Sequence, residues 1–221
     1  MVIGALIGIG FGLLLEDAAV TNEHPSGESG PYDHLYARPL RGRDGEGCAA
    51  PIDEVLEYFN EEWVERLRDV PIYKIWEVRT ALCYNTRYVD KDDVFIGVSC
   101  SWDDPETFSD DFKKRLLAHE YLHIIESEIP IDLTEFHDAV LKWYNDPQFG
   151  EPTPVYAGNY VKYILSYWLY DNEWDVYSDK KDGIEEFAYI GAAIIDGRSS
   201  EVADYILDYY QGIFGGRHGR D

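Results

Sequence analysis

Cysteine is scarce in this chain: Cys48, Cys83 and Cys100 are the only three among 221 residues. None makes a Cys-x-x-Cys pair, which argues against a zinc knuckle or a dithiol redox motif. Cys83 and Cys100 fall on neighbouring predicted strands and are the pair a disulfide would join, leaving Cys48 over. Buried free thiols are the other reading. Cations are scarce as well. Lysine and arginine total 19 against 43 acidic residues, for a net charge of −24 and a pI near 4.4. Such a field repels phosphate backbones and anionic headgroups, so no nucleic-acid partner is expected. The acids are scattered rather than gathered in a tail, as on a solvated surface suited to saline water or to secretion. They name no substrate.

Apolar side chains are not scarce. They make up 45% of the chain, and aromatics 15%, too many of both for a disordered polymer. The length favours one domain able to bury its own core. Three stretches divide the chain: an apolar segment over 1–17, a linker or irregular lead-in over 18–50, and a folded domain over 51–214. Met1 to Leu15 carry no charged side chain. As a helix they would span about 22 Å, short of a hydrocarbon core of about 30 Å. The stretch has the length of a signal-peptide apolar region but lacks a basic start and an Ala-x-Ala site. Membrane association through residues 1–15 is the leading expectation, and with it an extracellular or membrane-anchored location; a packed element in a cytoplasmic protein, or an assembly contact, is the alternative. In the lead-in, Arg38, Arg41 and Arg43 read as a solvated loop, with a maturation cleavage site as the competing idea.

From Ile52 the pattern becomes regular. Val55, Leu56, Phe59, Trp63, Val64 and Leu67 recur at helical steps, predicting one helix up to Asp69 and a stop at Pro71. Ile72–Arg79, Ala81–Tyr84 and Val94–Val98 are short and rich in β-branched and aromatic residues, predicting antiparallel strands. Asp90-Lys-Asp-Asp93 and Asp103-Asp104 match no EF-hand loop and read as turns rather than calcium sites. After Ser109 or Asp110, either a good N-cap, helices are expected over 110–127, 132–145, 155–170, 183–196 and 199–212. Tyr156, Tyr160, Tyr163, Tyr167 and Tyr170 form a stripe expected to pack in the core or a groove.

Chemistry concentrates in His119-Glu-Tyr-Leu-His123. Histidines four apart on a helix project from one side, one turn above the other, where a single tetrahedral ion can accept both nitrogens. Glu120, one residue round, can reach a water at such an ion as general base without ligating it. With 6 histidines in the chain, chance would produce the pattern at odds of only about one in seventy. Phe112 and Leu116 share the phase of His119, which turns the ligand face of an amphipathic helix inward. A catalytic zinc needs a third protein ligand and an open position. No histidine follows soon after His123, and His137, in Phe136-His-Asp, reads as a helix-surface or core histidine. An acid is therefore expected. Glu185 leads, because Ala188 and Ala192 follow it on a face small enough for two helices to approach closely. Glu186 points along another face and ranks second, while Glu126 and Glu128 are too near in sequence to fold back onto the same ion.

The pairing of His119-Glu-Tyr-Leu-His123 with Glu185-Glu-Phe-Ala188 resembles the gluzincin group of zincin metallopeptidases. The resemblance covers roughly 72–196. It implies an α+β fold in which a small antiparallel sheet precedes the active-site helix and a mostly helical half follows, with Val94 to Val98 as the edge strand lining the cleft. It implies zinc held by His119, His123 and Glu185, and Glu120 as base. Tyr177, in Tyr177-Ser-Asp-Lys-Lys-Asp-Gly-Ile-Glu-Glu-Phe-Ala, is similar to the oxyanion-stabilising tyrosine of the anthrax lethal factor-like branch; Tyr160 and Tyr189 are alternatives. The expected activity is hydrolysis of a peptide or protein substrate. The alternative is a catalytically silent zincin scaffold serving as an assembly subunit. The sequence leaves the oligomeric state open.

Overall fold

The computed structural model describes residues 38–39, 52–75, 81–84, 94–99, 108–154, 158–167 and 183–215. Within them β1 is Arg38–Pro39, α1 Ile52–Leu56, α2 Glu61–Leu67, β2 Ile72–Ile75, β3 Ala81–Tyr84, β4 Phe95–Ser99 and α3 Asp110–Glu128. There follow α4 Leu133–Tyr144, α5 Tyr160–Leu165, α6 Ile184–Ile195 and α7 Asp204–Leu207, with short 3₁₀ turns between. Helix dominates.

Ser109 caps α3, its hydroxyl accepting from the Phe112 N–H at 3.3 Å, and such a cap is worth about 1 kcal/mol. The expected amphipathic face is absent: residues 116–126 are buried without a break. A helix buried all round is usually apolar all round, yet this one includes His119, Glu120, His123 and Glu126. Around it a continuous core gathers Leu116, Leu122 and Ile125 from α3, Phe136 and Trp143 from α4, Leu165 from α5, and Phe187, Ala188 and Ile190 from α6. Helix α6 lies closest to α3. At their contact a Cβ on Gly191 would meet Leu122 Cδ1 at 2.6 Å and Tyr210 Cε1 at 2.9 Å, so the missing side chain is what lets the two helices approach.

The sheet runs in the order β1-β2-β4-β3 and is mixed, not antiparallel: β2 and β4 are parallel, with Ile72 opposite Ile96, while β3 and β4 are antiparallel, with Ala81 opposite Val98. This corrects the expected edge strand. β4 lies inside the sheet, and β3 is the rim strand beside α3. The physical reason is visible in the run itself. Phe95, Ile96 and Val98 are all fully buried, and successive residues of a strand face opposite ways, so both faces of β4 are covered. Arg38–Pro39, expected in an irregular lead-in, pairs with β2. Cys83 stands opposite Ile96; Cys48 and Cys100, the segment 1–17, Arg41, Arg43 and the acidic turns near 90 and 103 lie outside the described residues. Among the described residues, no helix is long and apolar enough to cross a membrane.

Three helices differ from expectation, each because a distant partner takes over the backbone groups at its end. The helix expected to run to Asp69 breaks into α1 and α2: the Asn60 N–H donates to Ile213 O at 2.8 Å, and the Asn60 side chain caps α2 by accepting from Trp63 N–H. Helix α5 starts at Tyr160, not 155. Asn159 accepts from Lys162 N–H at 2.8 Å, and the Glu201 carboxylate accepts from the N–H groups of Tyr160 and Val161 at 2.6 and 3.2 Å. That use of Glu201 interrupts the helix expected over 199–212, since Val202 and Ala203 are extended. Of the tyrosine stripe, Tyr156 and Tyr170 lie outside the described residues; Tyr160 and Tyr163 are half-buried and Tyr167 exposed, their tilted rings 6.1 Å apart between centroids, so these three are not core, while Val161, Lys162 and Leu165 face inward.

Candidate metal centre

His119 and His123 sit on successive turns of α3, and Glu185 opens the first turn of α6 against them. Their nearest atoms are Nε2 to Nε2 at 3.1 Å, His119 Nε2 to Glu185 Oε2 at 3.4 Å, and His123 Nε2 to Glu185 Oε1 at 3.6 Å. All three can offer one ligand atom to a common ion. The two imidazoles are buried and nearly perpendicular. A tetrahedral ion with bonds of about 2.0–2.1 Å separates its ligand atoms by about 3.3–3.4 Å. The observed spacings bracket that value. Hydrogen bonds from N–H to O prefer about 2.7–3.2 Å, so both carboxylate contacts are longer than a good hydrogen bond. The carboxylate contacts are long enough that the group could hold an ion.

Electrostatics follow from the same geometry. Burial pushes the Glu185 carboxyl up, but the positive charge of His123 and the N–H groups of both rings outweigh it and hold the carboxyl well below its usual range. For His123, burial works against the charged ring, and Glu185 more than offsets it, helped by Glu120 and Glu126; the net shift is upward. Glu120 is thus buried close enough to His123 for its charge to be felt. His119 Nδ1 is buried with no hydrogen-bond partner among the described residues. Its ring instead packs on Tyr189, one helical turn beyond Glu185, at 4.4 Å between centroids.

A scan against protein-family models, a search of curated proteins and a search of solved structures each return no match. The site is therefore read from its own geometry.

Of the sequence candidates, His119, His123 and Glu185 come together, with Glu120 beside them. Glu186 does not join them. Its carboxylate turns toward α4, where His137 Nδ1 donates to its oxygens at 2.8 and 2.9 Å. His137 is half-buried, outside the metal group as expected, and its partner is Glu186. Glu128 pairs with Arg66 at 2.8 Å on the surface, and Glu126 is buried. Tyr160 lies under the Arg198 guanidinium, 4.2 Å from its ring, and Tyr177 lies outside the described residues. Two participants went unnoticed in the sequence. Gly191 stands between Ala188 and Ala192 on the same small face, a readable signal. The His137–Glu186 pairing spans 49 positions and leaves none.

Proposed function

We propose that this chain is a zinc-dependent endopeptidase of the gluzincin kind, on an α+β zincin-like framework. One observation carries the reading: His119, His123 and Glu185 each bring a ligand atom to one buried spot, all within 4.8 Å of one another, with the imidazole–carboxylate contacts at 3.4 and 3.6 Å longer than good hydrogen bonds. Two imidazoles and a carboxylate are a donor set suited to zinc, leaving a fourth position open. Bound there, zinc would bring the pKa of water to about 7 and polarise a peptide carbonyl.

The chain's own residues supply the rest. Glu120 takes the proton from the attacking water and returns it to the departing amine. Burial of Glu120 keeps bulk water from competing for that proton. Glu185 does two things: it closes the donor set, and its charge orients both imidazoles with Nε2 facing inward. Tyr189 fixes the plane of His119 by packing, and Tyr177 remains the candidate for a hydrogen bond to the oxyanion. An extended peptide substrate fits the rim strand β3, beside α3, because a rim offers unpaired backbone groups to a further strand.

The test is metal analysis of the purified chain, followed by hydrolysis of a diverse peptide pool with and without chelator. Zinc near one equivalent and chelator-sensitive cleavage are expected. The Glu120→Gln variant should keep the zinc and lose about 10²–10⁴-fold in rate. Cleavage that persists in Glu120→Gln, or a zinc-free chain that assembles without hydrolysing anything, sinks the proposal.

A further inference from the structure

Glu185 and Glu186 are neighbours in the first turn of α6, and successive residues of a helix project about 100° apart. Where one is aimed, the other follows. Glu186 is 3% exposed, and a carboxylate so buried needs a partner. It has one in His137, whose Nδ1 lies within hydrogen-bond distance of both its oxygens. We infer that the His137–Glu186 pair is a positioning device for the metal centre, fixing the rotation of α6 that turns Glu185 toward His119 and His123. The inference rests on the metal reading given above and adds residues to it.

Three further observations support this assignment. First, α6 begins without a side-chain cap: Gly183, at its N-terminus, has φ +89° and offers no polar side chain. Its first turn is held instead by α4. A Cβ at Gly183 would lie 2.5 Å from Leu133 O, so the start of α6 rests directly on the start of α4, and His137 stands one turn further along. Second, among the described residues the contacts of the Glu185 carboxylate are the 3.4 and 3.6 Å ones to the imidazoles, both long for hydrogen bonds. Its direction has to come from the backbone beneath it. Third, the other side of the same turn is packed rather than polar. Phe187 stacks on Tyr210 at 4.6 Å and meets Phe136 of α4 edge-on at 5.5 Å. Packing of flat rings sets the distance between α4 and α6, while the hydrogen bonds of His137 set the angle.

Residues beyond a metal's direct ligands are worth about 10–100-fold in affinity when they orient those ligands. The test uses the full chain and reads Zn²⁺ affinity by competition with a chromophoric chelator, together with the visible absorption of the Co²⁺-loaded protein. His137→Ala and His137→Phe, the second retaining a ring, should each weaken Zn²⁺ by about 10–100-fold and dim the tetrahedral cobalt bands. His137→Asn places an amide N–H where Nδ1 stood, and should return affinity to within about threefold of wild type. A folded His137→Ala or His137→Phe chain with wild-type affinity overturns the positioning role. So does a folded His137→Asn chain as impaired as the alanine variant. A wild-type chain that binds no zinc overturns the metal reading itself, and that result is separate from the other two.

Discussion

The first turn of α6 presents a glutamate to each of two neighbouring helices, and the two interfaces are built at different distances. On the α4 side, His137 and Glu186 meet at 2.8 Å in a closed pair. On the α3 side, Glu185 faces two histidines at 3.4 and 3.6 Å, and the histidines stand 3.1 Å apart. The residue types are the same and the helix turn is the same. What differs is the room left between the donors. On the α4 side the His137–Glu186 contact is a close hydrogen bond beside the packed Phe136 and Phe187 rings; on the α3 side the carboxylate contacts are longer, in a group that could hold an ion. Burying imidazoles and a carboxylate without close pairing is costly, and a bound ion, as proposed, would offset that cost.

The contrast can be broken most directly at Glu185. Glu185→Ala should weaken Zn²⁺ by more than about 100-fold, since a lost ligand exceeds the effect of a lost orienting residue. Without metal, however, its loss of stability should be smaller than that of His137→Ala, which takes a close hydrogen-bond partner from the buried Glu186. Wild-type chain at zinc 100-fold over its dissociation constant gains about 2.7 kcal/mol, and at the same concentration Glu185→Ala should gain less than about 0.4 kcal/mol. Thermal unfolding with and without zinc reads both. If Glu185→Ala destabilises the metal-free chain more than His137→Ala does, the two interfaces do the same job and the distinction fails.

How much of this was legible in the sequence depends on how far apart the deciding residues lie. His119, Glu120 and His123 are within one helix, and the spacing alone puts them on neighbouring positions. Helices α3, α4 and α6 also follow from local patterns, two of them with caps at Ser109 and Asp132. Glu185 was readable through the small residues that follow it. The break between α1 and α2 was not, because Ile213 and Gly212 take the polar groups of Asn60. Nor was the late start of α5, which depends on Glu201. The order of strands was half legible. An unbroken apolar run at 94–98 suits a strand covered on both faces, and that reading points inside the sheet, not to its rim.

Gly191 tests the packing that brings the wide interface together. Gly191→Ala places a methyl against Leu122 and Tyr210, both buried. Overpacking of this kind costs about 1–3 kcal/mol, or roughly 2–4 °C in Tm per kcal/mol for a chain of this size. Leu122 adjoins His123, so Zn²⁺ affinity should fall along with Tm. The atoms nearest the new methyl belong to Leu122 and Tyr210, not to His137 or Glu186, so that pair should be less affected than the metal donors. A Tm unchanged within error would mean that α3 and α6 are less tightly apposed than 2.6 Å implies.

Tyr210 sharpens the contrast from the closed side, with the smallest effect. Its hydroxyl donates to Phe187 O at 2.7 Å, and Tyr210→Phe should cost about 0.5–1.5 kcal/mol. Burial first, then the charge of Glu186, pushes the Tyr210 phenol well above its usual range. The folded chain therefore holds this proton more tightly than the unfolded chain does. The stability it contributes is complete below the unfolded phenol pKa of about 10, and is lost as pH rises beyond it toward the folded value. Removing one such proton should flatten the alkaline decline in unfolding free energy by up to about 1.4 kcal/mol per pH unit. Denaturant titrations of wild type and Tyr210→Phe between pH 9 and 11 would show it. Parallel declines would mean that Tyr210 ionises without weakening the contact it makes with Phe187.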